Sequence, residues 1–121
     1  MIAGVGLDLV EIERVAALLD RHPEEFLRRI LHAAEDRSRL DPVHVAGLFA
    51  AKEAVMKALG TGMAGAAFGD IAVRHRDGGQ PYVELHGRAL ERAREMRISG
   101  WEISITHSKT NAAAVAIAIG C

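Results

Sequence analysis

The chain's one cysteine, Cys121, is its last residue, so neither an internal disulfide nor a cysteine-built zinc site is available. That suits a reducing compartment, and a cytoplasmic location is expected. Aromatic residues are scarce as well. They make up 4% of a chain that is 50% hydrophobic, so the core must be packed from aliphatic side chains and alanine. An excess of one charge is missing too. Fifteen Lys and Arg stand against sixteen Asp and Glu, and a net charge near zero gives no global field toward nucleic acid. An acidic partner would have to be met by a local basic patch. Long apolar runs are absent: the longest, AAAVAIAI over 112–119, is too short to span a bilayer as a helix, so no membrane association is expected. The opening MIAGVGLDLVEIERV carries Asp8, Glu11 and Glu13 and no basic stretch, so no signal peptide is expected. Repeats and low-complexity linkers are lacking, and 121 residues favour one domain over 1–121.

Several familiar catalytic arrangements are missing as well. There is no Ser-His-Asp order, no cysteine nucleophile and no His-x-x-x-His pair. His22, His32, His44, His75 and His86 are scattered without ligand spacing.

What is present is a readable alternation of elements. Residues 2–9, IAGVGLDL, alternate as a strand. Ala3, Val5, Leu7 and Leu9 form an aliphatic face, predicted to be buried. Gly4, Gly6 and Asp8 form the other, where glycine marks close approach of a ligand or another backbone. Helical spacing follows over 11–21, with Ile12, Val15, Ala16 and Leu19 inward, until His22-Pro23 interrupts it. Phe26, Leu27, Ile30 and Leu31 suggest a second short helix, and 32–41 is polar, a loop or short helix. Asp41-Pro42 reads as a helix start and Gly60 as its stop. Between them Val45, Leu48, Phe49, Met56 and Leu59 form an apolar stripe, which Lys52 interrupts. Strands are predicted at 70–75 and 81–85 around the turn sequence RDGGQ, then a helix over 87–97. WEISITH and AAAVAIAI form a last pair of strands joined by SKTN. Short turns between adjacent strands make them antiparallel, so the predicted class is α+β, an antiparallel sheet packed against a long central helix and shorter helices.

Four places can carry chemistry, each with a plain structural alternative. Asp8 is either a strand-end carboxylate open to a metal or a helix cap. Glu53 and Lys57, four apart, are either a helix-surface ion pair or half a site for a metal-bound phosphate. The segment Gly60-Thr61-Gly62 is either a helix stop or a phosphate-facing loop; it is not a P-loop, since no Gly-Lys-Ser/Thr precedes a helix. His107, with Ser108, Lys109 and Thr110, is either a hydrogen-bonded turn or a phosphate contact.

Taken in order and at their separations, GVGLDLVEIERV, FAAKEAVMKALGTG and ISITHS resemble the bacterial holo-acyl-carrier-protein synthases. These are short, single-domain 4′-phosphopantetheinyl transferases, and GGQPYVEL resembles their Gly-Lys-Pro-type strand entry. The resemblance runs nearly end to end. It implies a Mg²⁺-dependent transfer of the phosphopantetheine arm of coenzyme A to a serine of an apo-acyl carrier protein, in fatty acid biosynthesis, releasing adenosine 3′,5′-bisphosphate. Asp8 and Glu53 match the family's metal-ligand carboxylates. Lys57 matches its phosphate-contacting lysine and joins them as a catalytic residue. His107 matches its coenzyme A histidine, with Ser108 beside it, and Gly60, Thr61 and Gly62 match its nucleotide-side loop. Glu53, or a water near it, is the expected base. Arg14 matches a basic position on the first helix that meets the acidic carrier protein, and Arg21 and Arg28 extend it at intervals of seven. A homotrimer with sites between subunits is implied.

Two departures stand out. Leu48 occupies a position where the family commonly has Arg, with Arg37, Arg39 and His44 as replacements. The segment ILHAAEDRSRL strays from the usual Phe-Thr-x-x-Glu pattern, and no residue of 32–41 is carried over. The competing readings are a non-catalytic binder of carrier protein or coenzyme A, for which Leu48 would be the sign, and a metal-dependent phosphohydrolase.

Overall fold

The computed structural model describes residues 1–60 and 67–121. Alternating residues carry the chain into β1 (Ile2–Glu11), two residues longer than the spacing suggests. Helices α1 (Ile12–Arg21) and α2 (Pro23–Ile30) follow, broken at His22-Pro23 because proline cannot continue a helix. The central helix α3 (Pro42–Leu59) leads to a short turn of 3₁₀ helix at Phe68–Asp70. A hairpin of β2 (Ile71–His75) and β3 (Pro81–Leu85) comes next. The chain ends in α4 (Gly87–Glu95), β4 (Ile98–His107) and β5 (Asn111–Gly120). The fold is α+β. One antiparallel sheet runs β1-β5-β4 and the hairpin forms a second.

The two ends of α3 are fixed by local chemistry. Asp41 adopts extended backbone and its carboxylate accepts from the His44 amide, while Pro42 starts the helix. Gly60 takes the left-handed conformation, φ 72°, which few side chains tolerate. Arg92 of α4 donates to the carbonyl of Leu59 at 3.0 Å. Between these caps α3 is more than an amphipathic stripe. Val45, Leu48, Ala50, Ala51, Ala54, Val55, Met56 and Leu59 point in several directions and all are buried. A helix covered on most sides belongs at the centre of the core.

The sheet lies on α3 by an unexpected face. The aliphatic face of β1 is exposed, with Val5, Leu7 and Leu9 at 58%, 66% and 68%, rather than buried. Gly4 and Gly6 face the helix instead. A methyl group at Gly6 would run into the Ala54 carbonyl, and one at Gly4 into that of Ala58. Without side chains, strand backbone meets helix backbone. On β5 the pattern repeats: Ala112, Ala114, Ala116 and Ala118 are buried against α3, and Val115 and Ile117 stand on the outer face opposite Leu7 and Val5. Ile103 and Ile105 of β4 pair with Ala116 and Ala114, so they share the helix side.

Candidate active site

Asp8 sits at the far end of that glycine-cleared face, paired in register with Ala114. Once Gly4 and Gly6 have brought β1 down onto α3, Asp8 is the first functional side chain on the face. Lys57, one helical turn beyond Glu53, reaches it. Lys57 donates to Asp8 Oδ1 at 3.1 Å and to the Leu7 carbonyl at 3.0 Å. Asp8 therefore does not cap α1, where no side chain caps the first turn. Lys57 bonds across to β1 rather than back to Glu53.

Asp8 and Glu53 line one pocket of about 310 Å³, with Arg14, Phe26 and Phe49 among its walls. A second, open depression of about 470 Å³ adjoins it through Asp8 and Leu9 and is walled by Lys57. Burial, and after it the charge of Asp8, raises the Glu53 carboxyl above its ordinary value; Lys57 partly offsets this. A carboxyl whose ionisation a neighbouring carboxylate opposes gains from a cation shared between the two. The donors are hard oxygens with open space beside them, and no histidine or cysteine lines either pocket, so the set fits Mg²⁺. Among the described residues no group of three metal-ligating side chains forms, so further ligands would come from water or a bound diphosphate.

The other candidates lie apart. Gly60 is the left-handed cap of α3; Thr61 and Gly62 fall outside the described residues. His107 lines a separate pocket with Arg39, His44, Leu48 and His75. Ser108 closes the β4–β5 turn, its hydroxyl accepting from the Thr110 and Asn111 amides. Within one chain neither His107 nor Ser108 lines the Asp8–Glu53 pocket. Arg14, Arg21 and Arg28 are all exposed, and only Arg14 reaches that pocket. Arg21 and Arg28 also stand in the last turns of α1 and α2, where positive charge complements the helix dipole.

Two features escaped the sequence reading. Lys52 does not break the buried surface of α3; it is wholly buried and bonded to Glu35 at 2.5 Å. Its ammonium also donates to the Ile30 and Phe68 carbonyls. Glu35 accepts in turn from the His32 and Val73 amides. The signal was present: in Leu31-His32-Ala33-Ala34-Glu35 the glutamate falls at the end of the Phe-Thr-x-x-Glu pattern. His32 takes the threonine's place, its ring nitrogen accepting from the Ala34 amide. The other feature is His75, which joins Arg39 and His44, both expected as replacements for the missing arginine, around Leu48; Arg37 does not line that cleft.

The family model of the 4′-phosphopantetheinyl transferase superfamily matches residues 4–118. The chain is 47% identical over 122 residues to the holo-acyl-carrier-protein synthase of Alkaliphilus metalliredigens, covering 98% of this chain and 99% of that one. Its structure is similar to that of the holo-acyl-carrier-protein synthase from Neisseria meningitidis, with a TM-score of 0.87, 33% identity and 98% of each chain covered. It is also similar to the Helicobacter pylori holo-acyl-carrier-protein synthase in complex with coenzyme A, with a TM-score of 0.81 and 30% identity. That match covers 94% of this chain and 98% of the other.

Proposed function

This chain belongs to the 4′-phosphopantetheinyl transferase superfamily as a holo-acyl-carrier-protein synthase, and from that premise we propose a Mg²⁺-dependent transfer onto a carrier serine. The serine hydroxyl attacks the phosphorus that bears the pantetheine arm of coenzyme A. A new phosphoester bond forms, the bond to the other phosphate of the diphosphate breaks, and adenosine 3′,5′-bisphosphate leaves. The serine proton passes to Glu53, directly or through a water beside it. The observation that carries this reading is one pocket holding Asp8 and Glu53, with Lys57 bonded to Asp8 at 3.1 Å.

The raised Glu53 carboxyl suits a base working nearer neutrality than a free glutamate. Asp8 and Glu53 would hold the metal, which when bound neutralises diphosphate charge. Lys57 exchanges its Asp8 contact for a phosphate oxygen and steadies the departing bisphosphate. Gly60, with Thr61 and Gly62, borders the nucleotide. Arg14, at the pocket mouth, meets the acidic carrier protein, with Arg21 and Arg28 behind it. The transfer serves fatty acid biosynthesis in the cytoplasm, by a single domain over 1–121.

We further propose a homotrimer. Val5, Leu7 and Leu9 present a row of large exposed aliphatics, continued by Val115 and Ile117 on β5. Contiguous apolar surface of this kind marks an interface. A neighbouring copy there would let His107 and Ser108 of one subunit complete the Asp8–Glu53 site of another. The decisive experiment incubates the full chain with Mg²⁺, coenzyme A and an apo-acyl carrier protein. Mass spectrometry should find one phosphopantetheine added to the carrier serine. Coenzyme A binding without mass transfer would overturn the reading.

A further inference from the structure

Helix α2 forms part of the wall of the Asp8–Glu53 pocket through Phe26, and Phe49 of α3 lines the same pocket. The two rings lie 6.3 Å apart. Phe68, buried and outside the pocket lining, stacks on Phe49 at 5.0 Å. These are the chain's three phenylalanines, and they form one row that begins at the pocket and ends in the core. Such a row needs both of its ends held. Phe26 belongs to α2, and Phe68 to the short 3₁₀ turn before β2. Both segments are bonded to a single group on α3. The Lys52 ammonium donates to the carbonyl of Ile30, the last residue of α2, and to that of Phe68 at 3.2 Å. Its third bond goes to Glu35, which accepts from the His32 and Val73 amides. An ammonium has three N–H groups, and each is given to a different segment.

The two ends of the row depend on Lys52 to different degrees. The Phe68 turn has bonds of its own: the Asp70 amide donates to the Ala67 carbonyl, and the His86 amide to that of Asp70. The end of α2 lacks such support. Among the described residues, the bond from Lys52 to Ile30 is the only hydrogen bond that joins α2 to another helix or strand. Nor can α2 stand alone. It has eight residues, fewer than the roughly 12–15 that an isolated helix needs. Only Phe26, Leu27 and Ile30 turn inward, and its Glu and Arg side chains are exposed.

We propose that Lys52 is a positioning residue for carrier-protein recognition: by holding the Ile30 carbonyl it fixes α2 against α3, and with it Phe26 and Arg28 beside the pocket that receives the carrier serine. The inference rests on the transfer reading above and adds a residue to its carrier site. Lys52 is wholly buried and meets neither substrate; it acts through α2. The coenzyme A side hangs from other contacts. Lys57 is held by Asp8 and the Leu7 carbonyl of β1, and Gly60 by the Lys57 carbonyl, none of which involves α2. Loosening α2 therefore weakens one substrate and spares the other.

Steady-state kinetics with Mg²⁺, coenzyme A and an apo-acyl carrier protein, beside thermal melting, separate this role from a contribution to stability alone. Three variants of the full chain are compared. Glu35→Gln breaks the ion pair and leaves the Lys52–Ile30 bond, so it should melt lower than the parent and keep the parent's KM for the carrier. Lys52→Met with Glu35→Gln removes that bond and leaves no buried charge. It should raise the carrier KM about tenfold and keep the coenzyme A KM within about twofold of the parent. Phe68→Leu keeps every bond of the ammonium and loosens only the row of rings. It should raise the carrier KM about two- to threefold, again with coenzyme A unaffected. A carrier KM that follows the melting temperature through the three variants, or that is unchanged in the double variant, overturns the proposal and leaves the transfer reading intact. If the double variant does not fold, an unchanged carrier KM in Phe68→Leu overturns it. A parent chain that modifies no carrier overturns both.

Discussion

Helix α3 presents two lysines, five residues apart, each paired with a carboxylate from elsewhere in the chain, and the two pairs behave as opposites. Lys52 and Glu35 are closed off, at 0% and 1% side-chain exposure, with the other two ammonium protons and both carboxylate oxygens engaged by backbone groups. Lys57 and Asp8 are open, at 52% and 15%, with pockets on either side. The first pair fastens the segment after α2, and the hairpin strand β2, to the helix. The second holds two charged groups where a ligand can reach them and replace their contact. Burial, more than charge or separation, divides an ion pair that supports structure from one available for chemistry.

The sharpest way to break that contrast is Lys52→Met. It strands the Glu35 carboxylate inside, and removing one partner of a buried pair costs about 3–5 kcal/mol. Urea denaturation should record that loss, and adding Glu35→Gln should recover much of it. If the single variant were as stable as the parent, the pair would not be the fastening described. Next comes Asp8→Asn, which should lower carrier-protein modification by about a hundredfold or more at limiting Mg²⁺, the scale of a lost catalytic group. Its melting temperature should barely move. Lys57→Met should cost under about 1 kcal/mol of stability, since exposed pairs are weak, while slowing transfer. Smallest is the pH response of Glu53. Its carboxyl sits above the ordinary 4.5 in the fold, so the folded state favours the proton. The contribution of Glu53 to stability without metal should therefore be greatest in acid and be lost as pH rises through its raised folded-state value. In chelator, Glu53→Gln should abolish that part of the decline and melt higher than the parent at pH 7. A variant that melts lower there would reverse the sign.

The same contrast explains what the sequence could tell. Strands, helices and the hairpin were legible because their apolar periods differ, and boundaries moved by only a few residues. The buried face of β1 was misjudged because aliphatic residues ordinarily mark the core. Here Gly4 and Gly6 make the closer contact, and closeness to the helix selects the small side chains. Lys52 was unreadable from α3 alone, since its partner lies 17 residues earlier in a segment with no period. Asp8, Glu53 and Lys57 were nameable as candidates through the order of three motifs, and their spacing alone supported plainer roles equally well. At the Leu48 cleft Arg39 and His44 were nameable as substitutes for the missing arginine, but His75 of the hairpin and the end of β4 join them only in the folded chain.

The glycine contact of β1 has a mechanical consequence. Main chain resting on main chain has no rotamers to exchange, so the gap between strand and helix cannot drift through side-chain hopping. Thermal motion must carry β1 and α3 together, and the uncertainty in the distance between Asp8 and Glu53 shrinks to the sway of two short carboxylate arms.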